Sequence, residues 1–185
     1  MRWLRISLQT LGSGRASRGL LLLAVAVAWT VAQGSASATV VTDAFVEAIA
    51  QIESSGGRHL VGDGGRANGR WQMHAAAWQD TTAFRQRQRL PVWPYTHAHT
   101  AKIARLYARD YLKLLENQLT AALGRQVTAE LVYAAYNVGF SRLQSRNFLI
   151  ERTPASTQRA CARLPRLMAV AASPGKQTLA MAKAR

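Results

Sequence analysis

Among the nine acidic residues of this 185-residue sequence, Glu53 has the setting best suited to proton transfer. It follows an apolar stripe of Phe45, Val46, Ile49, Ala50 and Ile52 and precedes Ser54 and the pair Gly56-Gly57, which places it in the last turn of a helix. The negative end of the helix dipole and an apolar flank both disfavour a carboxylate, so the pKa of Glu53 is expected to rise. A carboxyl group that keeps its proton near neutral pH can protonate a leaving oxygen, the step on which cleavage of a glycosidic bond depends. Position alone favours an ordinary solvated glutamate, since most glutamates are exposed; the neighbouring motifs have to decide.

Other chemistries have less to work with. Asp63, in Val61-Gly62-Asp63-Gly64-Gly65, is the one acid in a glycine-rich stretch. It either faces Glu53 as a second acid or turns its own loop by bonding its backbone. The four histidines, His59, His74, His97 and His99, show no metal-ligand spacing, and His97-x-His99 reads as a polar helix start. Cys161 is the single cysteine, so no internal disulfide can form and no thiolate metal site of the usual kind is available. No metal or other cofactor is expected.

The elements that position these residues are mainly helical. Thr42 and Asp43 start the first helix, which ends at Gly56-Gly57. Residues 58–72 read as a glycine-rich loop or short irregular hairpin. Helical pattern resumes from His74 through Phe84 and breaks at Pro91-Val92-Trp93-Pro94. A long helix is expected from near His99 to Leu123, with Ile103, Leu106, Tyr107, Leu114, Leu115 and Leu119 on one side and Gly124 closing it. Thr128 caps the next helix, which carries Tyr133 and Tyr136 and breaks at Gly139. Thr153-Pro154 starts a short last helix, and beyond Pro165 the sequence reads as a mobile basic tail.

The first residues carry Arg2, Arg5, Arg15 and Arg18 with no acid, then the apolar run from Gly19 to Trp29 and the small residues Ala36-Ser37-Ala38. This pattern reads as a cleaved secretory signal over residues 1–38, too short in its apolar run for a membrane span. The expected location is therefore periplasmic or secreted, with one domain over 39–164 and the tail over 165–185. Downstream of the signal, twenty basic residues face nine acidic ones, a balance of +11. That excess favours polyanionic partners, and export makes nucleic acid the least suited of them.

Three segments taken together resemble a known family: Ile52-Glu53-Ser54, Gly69-Arg70-Trp71-Gln72-Met73 and Ala135-Tyr136-Asn137-Val138-Gly139. In this order and spacing they are similar to the motifs of lytic transglycosylases with the SLT domain, which are related to goose-type lysozymes. The resemblance runs from about Phe45 to Leu143. It implies a mainly α, lysozyme-like domain whose glycine-rich loop or hairpin follows the catalytic helix. Glu53 then matches the catalytic acid and base. Ser54, Gln72, Tyr136 and Asn137 match substrate-contacting positions, Gly69 and Gly139 would keep backbone clear of the sugar, and Tyr133 joins the cleft one turn before Tyr136. Arg70-Trp71 and Val138 depart from the commoner family residues. Arg70 is open to meeting a peptide carboxylate or to being a solvated charge, and Trp71 reads more readily as packing than as a sugar platform.

The resemblance implies an enzyme that cuts the MurNAc-GlcNAc β-1,4 bond of peptidoglycan and leaves 1,6-anhydro ends. One acid suffices for that route, because the substrate's N-acetyl group attacks C1 and its 6-hydroxyl then closes the ring. Two alternatives stay open: a goose-type muramidase using Asp63 to position water, and a non-catalytic wall-binding scaffold. The expected partner is the peptidoglycan glycan strand. Size and export also resemble those of wall-opening enzymes that accompany envelope-spanning secretion or conjugation machines. Arg159, Arg163 and Arg166 read either as a docking or wall-binding surface or as a solvated basic face.

Overall fold

A computed structural model describes residues 38–173. Apart from Ala38, the proposed export signal lies outside these residues, as does the tail from Pro174 onward.

Thr42 accepts the Phe45 amide hydrogen at 3.1 Å and Asp43 occupies the first turn, so α1 (Asp43–Ser54) begins where its cap requires. Its end differs in detail from the expectation. Ser55, not a glycine, takes the first left-handed conformation (φ 55°), and the Gly56 amide then returns to the Ala50 carbonyl at 3.0 Å. One residue of helix is traded for that closure, and Glu53 stays in the last turn.

The glycine-rich segment is a small antiparallel sheet. β1 (Val61–Gly62) pairs with β2 (Ala67–Asn68), and β2 with β3 (Met73–His74). A 3-10 turn over Asp63–Gly65 joins the first two strands. Trp71 and Tyr136 help tie this sheet to the helices. Trp71 is buried and donates from Nε1 to the Val46 carbonyl at 2.9 Å, and the Tyr136 hydroxyl donates to the Trp71 carbonyl at 2.5 Å. Trp71 is therefore packing, which an indole with a satisfied N–H favours inside a core.

α2 (Ala75–Arg87) runs three residues past Phe84. After the proline-bounded break, Tyr95–His99 forms a separate 3-10 turn, so the His97-x-His99 pair precedes the long helix α3 (Ala101–Leu123) and does not start it. The Pro91–Pro94 segment is pinned by buried Arg85, which ion-pairs with Asp110, donates to the Pro91 carbonyl at 2.8 Å and faces the Trp93 and Tyr107 rings, each 5.3 Å away. Gly124 closes α3 in the left-handed region as expected. The most deeply buried face of α3 is Ala104, Tyr107, Ala108, Leu112, Leu115 and Leu119, while Ile103, Leu106 and Leu114 flank it half-buried.

α4 (Ala129–Val138) is capped by Thr128, which accepts from the Leu131 amide at 3.3 Å, and it stops at Gly139 (φ 90°). The short α5 (Phe140–Gln144) follows, and then α6 (Ala155–Ala171). Sequence reading makes this last helix short and the chain mobile from Pro165; instead α6 continues through Pro165 for six further residues. Proline there forfeits the amide that would bond the carbonyl four residues back. Packing offsets that loss: Leu164 is fully buried, and Leu167 and Met168 pack on the core. Each such side chain is worth about 1.5–3 kcal/mol when fully buried.

The domain is thus mainly α. α1 is packed chiefly against α6, α4 touches both α3 and α6, and α2 lies on α3. The core between them holds Phe45, Ile49, Leu112, Leu115, Leu119, Val132, Leu143 and Leu164. Among the described residues, no helix is long and apolar enough to cross a membrane.

Candidate active site

The α1–α4–α6 packing brings the end of α1 to the middle of α4, and Glu53 points into a cleft of about 320 Å³ between these helices. The lining residues are Ile52 and Glu53 from α1, Tyr133 and Asn137 from α4, and Ser156, Arg159, Ala160 and Arg163 from α6. Tyr133 and Asn137 are one helical turn apart, so both side chains reach the same carboxyl group.

Glu53 is bonded by side chains of α4 and makes no ion pair among the described residues. The Tyr133 hydroxyl donates to its Oε1 at 3.0 Å. Asn137 also hydrogen-bonds the carboxyl. Its own carbonyl accepts from the Thr157 hydroxyl at 2.7 Å, so the donor to Glu53 is its amide N–H. Elsewhere, Asp43, Glu47, Asp63 and Asp110 are ion-paired, and Glu116 accepts from the Thr39 hydroxyl and the Val40 amide. Glu53 is held by neutral donors. Burial pushes its pKa above the usual carboxylate value of 4.5, and the hydrogen bonds from Tyr133 and Asn137 only partly counter that rise. Burial, with the Glu53 charge adding to it, also drives the Tyr133 pKa upward, so the phenol keeps its proton and stays a donor.

The remaining sequence-predicted residues divide sharply. Asn137 and Tyr133 join Glu53 in the cleft. Ser54 does not: it is 1% exposed, accepts from the Gly57 amide at 2.8 Å, and its hydroxyl lies 2.7 Å from the Arg70 carbonyl. It fastens the hairpin to the end of α1, and no substrate can reach it. Gln72 turns its amide back onto the His59 and Gly69 carbonyls at 3.1 and 2.8 Å, which settles it as a loop brace. Gly69 (φ 75°) clears the Ala98 carbonyl, which a Cβ would meet at 1.8 Å, so its missing side chain serves packing and not a sugar. Tyr136 is spent on the Trp71 carbonyl and lies edge-on to Tyr111. Gly139 lines a separate cleft of about 440 Å³ with Asp80, Tyr111, Gln118 and Arg142. The carboxyl end of α4 divides the two clefts, Asn137 facing one and Val138-Gly139 the other.

Asp63 is not among the residues lining the Glu53 cleft. It is exposed in its 3-10 turn, paired with Arg66 at 3.0 Å and with His74 at 3.4 Å. Arg70 is likewise engaged, with Glu47 at 2.8 Å. No group of three or more potential metal ligands occurs among the described residues.

Sequence reasoning missed Ser156 and Thr157 and placed Arg159 and Arg163 on a surface with no link to the acid. The available signal was spacing: 156, 159, 160 and 163 share one stripe of a helix, but nothing in the sequence says that this stripe faces Glu53. Comparison with protein-family models, curated proteins and solved structures finds no match to this chain.

Proposed function

We propose that this protein is a peptidoglycan lytic transglycosylase of the SLT type, with a lysozyme-like fold, acting on the MurNAc-GlcNAc β-1,4 bond outside the cytoplasm. The observation that carries this reading is that Glu53 is the one carboxyl group lining its cleft, held by neutral donors and raised in pKa by burial. A retaining or inverting hydrolase places a second carboxyl group within about 5–9.5 Å of the acid. Here Asp63 is spent on Arg66 and His74, and the substrate itself supplies the second nucleophile.

In the first step protonated Glu53 gives its proton to the glycosidic oxygen while the N-acetyl carbonyl oxygen of the MurNAc residue bonds to C1. The C1–O4 bond breaks and the GlcNAc side leaves as an alcohol. In the second step the Glu53 carboxylate takes the proton of the MurNAc 6-hydroxyl, O6 bonds to C1, and the N-acetyl oxygen departs. The 1,6-anhydro end forms without water, and Glu53 is again protonated. Tyr133 and Asn137 donate to the carboxylate between the two steps, when its negative charge is present.

Family resemblance in the three motifs supports the same assignment, and the basic balance of the chain suits an anionic wall. An accessory role beside a secretion or conjugation machine rests on analogy of size and export alone. Digesting purified peptidoglycan and weighing the released muropeptides tests the reaction. Anhydro ends, one water lighter than reducing ends, are expected from the wild type and none from Glu53→Gln. Reducing ends would establish a muramidase, and clearing by Glu53→Gln equal to wild type would remove Glu53 from the mechanism.

A further inference from the structure

α6 turns one stripe of side chains toward the acid. Ser156, Arg159, Ala160 and Arg163 all line the Glu53 cleft, and both arginines are exposed there. Five arginines of this domain are committed to acids: Arg66 to Asp63, Arg70 to Glu47, Arg85 to Asp110, Arg105 to Asp43 and Glu47, Arg109 to Asp43. Arg159 and Arg163 make no ion pair among the described residues. They are one turn apart on α6, so both side chains belong to the same wall of the cleft. Glu53 leaves them unclaimed because it takes its hydrogen bonds from Tyr133 and Asn137.

Two unpaired guanidiniums in the cleft that holds Glu53 form a receptor for an anion that arrives with the substrate. A planar fork suits a carboxylate, which it can bind through two parallel N–H bonds. A peptidoglycan strand offers such groups close to the scissile bond, because the peptide stems on its muramic acid residues carry free carboxylates while its sugar rings are otherwise neutral.

We propose that Arg159 and Arg163 bind a carboxylate of the stem peptide and thereby make the enzyme prefer stems whose carboxylates are free over stems whose carboxylates are amidated. The inference rests on the transglycosylase reading for the identity of the substrate. It goes beyond that reading in assigning a specificity site to a helix outside the three motifs.

The test measures binding on a protein that cannot turn over, so its outcome is separate from that of the product analysis. Full-length Glu53→Gln is titrated by calorimetry with a GlcNAc-MurNAc disaccharide carrying its stem peptide, and with the same compound whose peptide carboxylates are amidated. The free acid is expected to bind about ten-fold more tightly, the difference a charge-assisted bidentate contact supplies. Adding salt should narrow the gap. Adding Arg159→Gln and Arg163→Gln together should reduce the preference to less than about two-fold. Arg159→Lys with Arg163→Lys, which keeps both charges and loses the forks, should give an intermediate preference with an unchanged melting temperature. Equal affinity for the two compounds, no binding of either, or a preference that survives the double glutamine change would overturn the proposal.

Discussion

The Tyr133 hydroxyl and Glu53 Oε1, eighty positions apart in sequence, stand 3.0 Å apart across the α1–α4 contact. The pair couples a buried phenol that stays protonated to a carboxyl that burial keeps reluctant to ionise. Each residue fixes the useful state of the other: the phenol offers a hydrogen to the carboxylate once the acid has discharged its proton.

Tyr133→Phe removes that donor while preserving the buried ring. The hydrogen bond lowers the Glu53 pKa, so its loss should raise the pKa further. The ascending limb of the pH profile of kcat, set by the carboxylate needed in the second step, should move to higher pH, and the rate near neutrality should fall about ten- to hundred-fold. A pH–rate series on purified peptidoglycan checks both, and an unshifted profile would detach Tyr133 from the acid.

Stability should respond to pH through the same carboxyl group. The folded-state pKa of Glu53 lies above the ordinary value of 4.5, so the folded chain binds this proton more tightly than the unfolded chain. The stabilisation is fully present below the unfolded pKa and is lost as pH rises through the folded one. Glu53→Gln, which cannot ionise, should therefore melt higher than wild type at neutral pH and lose that advantage on acidification. Paired thermal melts across this range report the difference directly.

Asp63→Asn should leave the anhydro product unchanged and alter the rate by less than about three-fold, because the exposed pair with Arg66 contributes about 0–1 kcal/mol. Muropeptide masses decide the matter. A collapse of activity would return Asp63 to the reaction and favour water as the acceptor.

Gly69→Ala should cost more than about 2 kcal/mol, from a positive φ that alanine resists and from the Cβ that would meet the Ala98 carbonyl at 1.8 Å. Gly64→Ala is its control, since φ is 65° there and open space surrounds the new Cβ; only the backbone cost of about 1–2 kcal/mol is expected. Urea denaturation of the two variants separates steric clash from backbone strain.

Much of the helical frame is legible in the sequence because its signals are local. Thr42 and Thr128 cap α1 and α4, and Gly124 and Gly139 end α3 and α4, since a side-chain acceptor or a left-handed residue acts within one turn of where it stands. Pro165 misleads for the same reason. Its local cost is visible in the sequence, whereas the burial of Leu164 that keeps α6 intact is a tertiary fact.

The sequence by itself determined that Glu53 ends a helix beside an apolar face and that Tyr133 and Asn137 share a turn, because these follow from helical period. It did not determine which polar residues meet. Only the packing of α1 against α4 and α6 turned Ser54 and Gln72 into braces, spent Tyr136 on the Trp71 carbonyl, sent Asp63 to Arg66 and brought Arg159 and Arg163 to the acid. The physical reason is reach. Caps and periods act over a few residues, whereas the protonation of Glu53 depends on burial and on donors that the chain supplies from eighty positions away.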